Sequence, residues 1–165
     1  MSVGPLPRLR RPRPVYGPMT QDEVRAKLSA ALGTFFRDDY QLLESGVREE
    51  ALSHQIACHI RRHFQGWHVD AEYNRLHVDG VPKEKKYIGS DGKEHGAMPD
   101  IIIHQRQQLE NLVAIEIKRV ENRQNRARDF DKLRAYKEPP YSYVHAVFLE
   151  VGWVDGCPHV VMNFK

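Results

Sequence analysis

The stretch MPDIIIHQRQQLENLVAIEIKRV, residues 98–120, decides the fold, because it holds two apolar runs separated by a polar segment. The runs DIII and LVAIEI are rich in β-branched residues, which favours two buried strands. Each run also carries a carboxylate: Asp100 begins the first, and Glu116 lies inside the second with Lys118 two residues later. Since side chains alternate between the faces of a strand, Asp100 shares a face with Ile102, and Glu116 shares a face with Lys118.

Two neighbouring strands with those polar faces matched would bring two carboxylates and an ammonium together. Hard carboxylate oxygens, with the backbone carbonyl of Ile117, suit Mg²⁺ or Mn²⁺, which retain waters and accept a phosphate oxygen. Lys118 is then placed to orient or deprotonate a water, while the ion stabilises charge on the phosphate. The pattern predicts a metal site that hydrolyses phosphodiester bonds. The alternative is that Glu116 and Lys118 form a solvent-facing row on an edge strand.

The surrounding sequence predicts an α/β (α+β) domain over residues 20–165, with a mixed sheet flanked by helices. A helix is expected to begin at Thr20, in a capping box with Glu23, and to break at Gly33. The other expected elements are a helical stretch over residues 35–44, a longer helix over 47–64 and a strand over 68–75. A polar loop or hairpin over 75–97, a charged helix over 119–136 and a last strand over 144–151 are also expected.

The longer helix supplies a third carboxylate. Leu52, Ile56 and Ile60 define its apolar face, and at about 100° per residue Glu49 falls near the centre of that face. An unpaired buried charge is costly, so a glutamate directed at the sheet needs a partner, such as the same metal ion or a water bound to it. Glu49 therefore joins the candidate ligands.

Composition is typical of a globular protein, since 41% of the 165 residues are hydrophobic and 28% are charged. No apolar run approaches the ~18 residues of a membrane span, and the first residues lack the apolar core of a secretory signal. The two cysteines, Cys58 and Cys157, have no framework spacing, which favours free thiols in a cytoplasmic protein. Residues 1–19 hold five prolines and four arginines, so a disordered basic arm is expected. Such an arm either binds a polyanion or is a start-site extension without a function of its own.

A helix glutamate, then Pro99-Asp100, then Glu116-Ile117-Lys118 on the next strand resemble the PD-(D/E)XK nuclease superfamily over residues 47–151. The resemblance implies a restriction-endonuclease-like core of order α-β-β-β-α-β, preceded here by extra helices. It also implies a divalent metal, Mg²⁺ or Mn²⁺, and cleavage of DNA.

More narrowly, VREEALSHQIA, VDAEYNR, PDIIIHQR and NLVAIEIKR are similar to segments of small uncharacterised bacterial proteins built on that core. This similarity puts Glu49, together with the carboxylates and the lysine above, at the catalytic positions. It also nominates His54 and Glu72 as extra site residues. From the residues alone, His54 is equally well a surface histidine, and Glu72 is a partner for a nearby arginine.

Positive charge is concentrated after the second strand. Seven basic residues oppose three acidic ones there, namely Arg119, Arg123, Arg126, Arg128, Lys132, Arg134 and Lys137 against Glu121, Asp129 and Asp131. Beside the candidate site these cations are expected to contact nucleic-acid phosphates with salt-sensitive affinity. The alternative is a solvated helix face with i,i+4 ion pairs. Lys83, Lys85 and Lys86 are expected to contact a nucleic-acid groove. The alternative is that they lie in a flexible loop that binds no ligand.

The sequence thus predicts a metal-dependent nuclease acting on DNA, with a homodimer as one way to cut two strands. Two alternatives remain: a catalytically silent nucleic-acid-binding module on the same fold, and an interaction subunit whose partner supplies catalysis. His59 and His63 have the i,i+4 spacing of metal ligands, but a zinc site is not expected because no matching second half is present. Serine and nucleotide-driven chemistry are also not expected, since there is no nucleophile elbow or Walker loop.

Overall fold

The computed structural model describes residues 17–73, 75–78, 81–106, 108 and 110–165. Most of the basic arm predicted over residues 1–19 therefore lies outside the described residues. The chain is a mixed α/β protein with a mixed five-stranded sheet and helices, which confirms the predicted fold class. None of the described helices is long and apolar enough to cross a membrane.

The described helices are α1 (Gln21–Asp39), α2 (Gln41–Glu44), α3 (Glu49–His63) and α4 (Ala127–Lys137). The described strands are β1 (His68–Ala71), β2 (Arg75–Val78), β3 (Val81–Glu84), β4 (Lys86–Ile88), β5 (Glu94–Gly96), β6 (Ile101–His104), β7 (Asn111–Arg119), β8 (His145–Val154) and β9 (Cys157–Phe164). Strands β2–β3 and β4–β5 form two hairpins within the polar segment where a loop or hairpin is expected. The α4 helix separates β7 from β8, and these two strands are parallel neighbours.

The five-stranded sheet has the order β1-β6-β7-β8-β9, and its other neighbouring strands are antiparallel. One face carries Ile101, Ile115 and Ile117 in the apolar core that includes α1 and α3. The opposite face carries Ile102 and Ala114 in the core that includes α4. Because β7 is central and covered on both faces, its sequence is a nearly continuous apolar run. The edge-strand alternative for this segment is therefore wrong.

The capping box of Thr20 and Glu23 starts α1 as predicted, with the Glu23 amide donating to Thr20 at 3.3 Å. The break predicted at Gly33 is wrong, because α1 continues through it. Leu28, Leu32 and Phe35 lie on one buried face that spans the glycine. A glycine within a helix costs about 1 kcal/mol, and burial of this face offsets it.

The charged helix is predicted to begin after Arg119, but α4 begins only at Ala127. Two asparagine side chains account for the difference. The Gln124 amide donates to Asn122 at 3.0 Å, and the Ala127 amide donates to Asn125 at 2.9 Å. Such side-chain acceptors compete with helical hydrogen bonds, so the segment after β7 turns before the helix starts.

One strand boundary and one whole strand also differ from the prediction. The first strand ends at Ala71, because Glu72 has a φ of 52° that no strand accommodates. Asn74, on the polar side of that predicted strand, lies outside the described residues. Strand β9 is not predicted at all, although Asp155 and Gly156, with φ of 51° and 74°, form the tight turn that joins it to β8.

Candidate active site

Asp100 and Glu116 meet where β6 begins beside the middle of β7. Ile101 pairs with Ile115, so one step further along the antiparallel register Asp100 comes opposite Glu116. The backbone N–H of Ile117 donates to Asp100 Oδ2 at 2.6 Å, which ties the two strands together at this point. The matched polar faces expected from the alternation are therefore found, and they point toward α4.

The carboxyl group of Glu116 is enclosed by α4. Its residue is only 2% exposed, Tyr136 donates to Oε1 at 2.9 Å, and the Lys132 ammonium donates to Oε2. Lys132 and Tyr136 lie four residues apart on α4, so they share the face that covers β7. Both oxygens of this carboxyl are thus engaged by a cation and a phenol.

The electrostatics of the pair are unusual for carboxylic acids. Burial raises the pKa of Glu116 to about 8, and the nearby charge of Asp100 adds to the rise, while Lys132 opposes it. Burial also raises the pKa of Asp100 to about 6, against the lowering effect of the Ile117 N–H. For Lys132, burial alone lowers the pKa, but the carboxylates around it raise the pKa above its ordinary value. The site is therefore short of positive charge when both carboxyls ionise.

Lys118 connects this pair to two further carboxylates. Its Nζ lies 3.8 Å from Glu49 Oε2 and 3.6 Å from Asp129 Oδ2. Glu49 is the first residue of α3, where a negative charge favours the helix N-terminus, and it accepts from Asn122 Nδ2 at 2.8 Å. Asp129 is 8% exposed, and no described residue donates a hydrogen bond to its buried Oδ2. The predicted Glu49 thus reaches the site through Lys118.

An open cleft of about 230 Å³ gives solvent access to the site. It is lined by Tyr87, Gly96, Lys118, Gln124, Asn125, Arg128, Asp129 and Lys132. A second cleft of about 360 Å³ shares Tyr87, Asn125 and Arg128 with it and extends toward the β4–β5 hairpin. The two ammonium groups nearest the carboxylates therefore line a space that a ligand can enter.

Two functional side chains of the site are new relative to the sequence prediction. The sequence predicts Asp129 as one of the acidic residues of the charged helix, and it predicts no role for Tyr136. A signal for them exists, because Asp129, Lys132 and Tyr136 follow an i, i+3, i+7 pattern around the buried Leu133. That pattern directs all three toward the sheet, which the net charge of the segment conceals.

The remaining predicted site residues are dispersed. Glu72 lies beside the site through its backbone, since its N–H donates to the carbonyl of Asp100 at 2.9 Å. His54 is exposed on α3. Of the two histidines weighed for zinc, His59 is buried and bonded to Asp39 at 2.7 Å.

The predicted phosphate-contacting cations fall into two groups. Arg123, Arg128, Lys83 and Lys86 are exposed, and Lys86 is bonded to Glu94 at 2.8 Å.

Three other predicted cations are engaged within the protein. Arg119 donates to the carbonyls of Val47 and Leu43 at 3.1 and 2.6 Å, and Arg126 pairs with Glu150. Lys85 differs most from the expectation, because it is 3% exposed and donates to Tyr143 at 2.9 Å. Burial lowers the pKa of Lys85 to about 8. A lysine in this position is not available to contact a nucleic-acid groove.

Within the part of the chain that the structure describes, no three histidine, cysteine, aspartate or glutamate side chains are grouped closely enough to hold a metal ion. The carboxylate pair of Asp100 and Glu116 comes closest to the predicted site, with Glu49 on the other side of an ion pair. Comparison of the chain with protein-family models, curated proteins and solved structures gave no match.

Proposed function

We propose that this protein is a metal-dependent nuclease that hydrolyses phosphodiester bonds in DNA. The observation that carries the proposal is the pair of the half-buried Asp100 and the buried Glu116, with raised pKa values and with Lys118 two residues beyond Glu116 on the same strand face. Perturbed carboxyls beside an open cleft are a common feature of functional sites. The resemblance of these motifs to the PD-(D/E)XK superfamily supports the same assignment.

The donor set suits a divalent ion in its chemistry. Asp100 and Glu116 offer hard oxygens, and their raised pKa values mean that a nearby cation would be stabilising. The buried Oδ2 of Asp129 lies 3.6 Å from Lys118 Nζ and accepts no hydrogen bond from a described residue, so a further weakly engaged carboxylate lies beside them. Asp100 and Glu116 would hold Mg²⁺ or Mn²⁺, with the Ile117 carbonyl and Glu49 as further oxygen donors.

Within that site the metal ion and Lys118 would have separate catalytic roles. A bound ion supplies positive charge against the phosphate in the transition state. Lys118, half-buried between Glu49 and Asp129, lines the cleft, where its ammonium would orient the attacking water or its neutral amine would deprotonate that water. Because the two carboxylates fix its position, the ammonium is pre-organised for that role.

Nucleic acid would be held by the exposed cations near the clefts. Arg128 lines both clefts, and Arg123 lies on the turn just before α4. Such cations contact phosphates without reading sequence, so affinity should fall steeply with salt. Lys83 and Lys86 on the two hairpins are further exposed candidates.

Cleavage of supercoiled plasmid tests the proposal. Wild-type protein with Mg²⁺ or Mn²⁺ should nick the plasmid, and chelation should stop it. Asp100→Asn and Lys118→Gln should each reduce the rate by about 10²-fold or more, since a positioned acid–base group alone contributes that much. The control Asp38→Asn changes an exposed aspartate bonded to Arg37 and should cut at the wild-type rate. Equal rates for Asp100→Asn and the control would refute the assignment.

A catalytically silent nucleic-acid-binding module is the second candidate. It is favoured by one observation: both oxygens of Glu116 are already satisfied by Lys132 and Tyr136. Salt-sensitive DNA binding by the wild type, without metal-dependent cleavage of single-stranded, double-stranded or RNA substrates, would establish this alternative.

A further inference from the structure

Lys132 occupies the carboxylate oxygen that a divalent ion would need. Its ammonium donates to Glu116 Oε2, while Tyr136 donates to Oε1 at 2.9 Å. Glu116 is only 2% exposed, and its two oxygens are covered by these donors, so an incoming ion competes with the Lys132 ammonium for the carboxylate. The structure is therefore that of a site closed by its own cation.

The two donors differ in their freedom to move. The Tyr136 ring is fully buried and lies edge-on to Tyr141 and Tyr143, with centroids 6.2 and 6.1 Å away. Lys132 is half-buried on the wall of the open cleft, and its stem has several rotatable bonds. Lys132 is therefore the donor that can yield to an incoming ion.

A second acceptor for the released ammonium lies one turn earlier on the same helix. Asp129 Oδ1 is 4.0 Å from Lys132 Nζ, and Asp129 Oδ2 lies 3.6 Å from Lys118 Nζ without a hydrogen bond from any described residue. Because Lys118 pairs with Oδ2, Oδ1 is the oxygen that faces Lys132, and closer approach of the ammonium would form a charge-assisted hydrogen bond there. The movement needs a change in the Lys132 side chain alone.

We propose that Lys132 is an internal cation that competes with the divalent metal for Glu116, and that it moves to Asp129 when the ion enters. The inference rests on the proposed metal site and assigns it a built-in competitor. In the metal-free protein Lys132 stays hydrogen-bonded to Glu116 on the wall of the cleft. With the ion bound, the pair of Lys132 and Asp129 remains on the cleft wall beside Lys118.

Calorimetric titration with Mn²⁺ tests the competition. If Lys132 covers Glu116 in about nine molecules of ten, the apparent affinity is about tenfold below its intrinsic value. Lys132→Met should therefore lower the dissociation constant about tenfold or more. Lys137→Met removes an exposed lysine from the same helix, where it is bonded to the Val144 carbonyl, and should bind Mn²⁺ like the wild type. Lys132→Gln serves if the methionine variant does not fold, and it should also bind Mn²⁺ more tightly than the wild type, because a neutral amide competes less well for Glu116 than an ammonium does.

A second measurement follows the Lys132 ammonium itself in the wild-type protein. Nitrogen-15 NMR of the lysine side chains should show one hydrogen-bonded ammonium that is absent from Lys132→Met, and Mg²⁺ should shift that signal. In addition, Asp129→Asn should weaken Mn²⁺ binding more in the wild type than in the Lys132→Met background, because Asp129 acts through Lys132. A double-mutant cycle measures this coupling.

The outcomes separate the inference from the proposed function. Tighter binding by Lys132→Met, with an ammonium signal that responds to Mg²⁺, supports the inference. Equal affinity of wild type and Lys132→Met, with an unmoved signal, overturns the competition while leaving the metal site in place. Failure of the wild type and every variant to bind Mn²⁺ overturns both.

Discussion

Glu116→Gln should remove a pH dependence of stability that the buried carboxyl imposes on the metal-free protein. Burial and the charge of Asp100 raise the pKa of Glu116 to about 8, from an ordinary value of 4.5. Between these values the folded state keeps a proton that the unfolded state has released. The free energy of unfolding therefore falls as pH rises, by up to about 1.4 kcal/mol per pH step.

From pH 6 to pH 8 this loss amounts to roughly 2 kcal/mol, because the slope diminishes as the folded-state pKa is reached. Glutamine keeps the shape of the side chain but does not titrate, so the loss should be missing from the variant. The histidines contribute to both proteins, and their effect cancels in the difference between wild type and Glu116→Gln.

Urea unfolding followed by circular dichroism at pH 6, 7 and 8, with a chelator present, measures the effect. Glu94→Gln is the matched control, because Glu94 is an exposed glutamate on β5 bonded to Lys86. The control should follow the wild type at each pH. Parallel stability profiles for wild type and Glu116→Gln would refute the argument that Glu116 is buried with a raised pKa.

Three further predictions address the surroundings of the site. Tyr136→Phe removes a hydrogen bond to the buried Glu116 and should cost about 1–3 kcal/mol in urea unfolding; an unchanged midpoint would mean that this hydroxyl is not bonded. Arg128→Gln should reduce the slope of log affinity for DNA against log salt by about one, whereas an unchanged slope would show that Arg128 contacts no phosphate. Ile115→Ala, at a fully buried position of β7, should lower the free energy of unfolding by about 2–5 kcal/mol with the far-ultraviolet spectrum retained; a smaller loss would contradict its place in the core.

The sequence predicts the centre of the fold because two simple rules apply to its strands. A central strand with a parallel neighbour is covered on both faces, which requires a continuous apolar run such as the one in β7. Alternation along β6 and β7 then fixes the side of Asp100 and Glu116 without any knowledge of the partners. The polar residues within those runs stand out because their neighbours are all apolar.

The sequence does not predict in the same way which side chains α4 contributes to the site. Asp129 and Lys132 lie in a segment dense in charge, where charged side chains are ordinarily solvated. Their burial depends on the register of the helix against β7, and that register follows from the late start that Asn122 and Asn125 impose. The i, i+3, i+7 spacing of Asp129, Lys132 and Tyr136 is present in the sequence, but the dense charge around it conceals which face of the helix is buried.

Other departures have equally local causes. A single glycine, Gly33, is tolerated within α1 because the buried face on either side of it is continuous. Strand β9 lies at the edge of the sheet and is largely exposed, so it lacks the apolar alternation by which half-buried strands are found. Only the Asp155-Gly156 turn signals that the chain doubles back there.

Titration of Mn²⁺ into metal-free protein, with Asp100→Asn and Asp91→Asn compared side by side, tests the central claim most directly. Asp91 is an exposed aspartate bonded to His95 in the second cleft, so its substitution changes the same charge away from the carboxylate pair. We predict that the wild type and Asp91→Asn bind Mn²⁺ with equal affinity, and that Asp100→Asn binds more than about tenfold more weakly, since it lacks one of the two carboxylates nearest the ion. Binding by Asp100→Asn at the wild-type affinity would contradict the claim that Asp100 and Glu116 form a metal site.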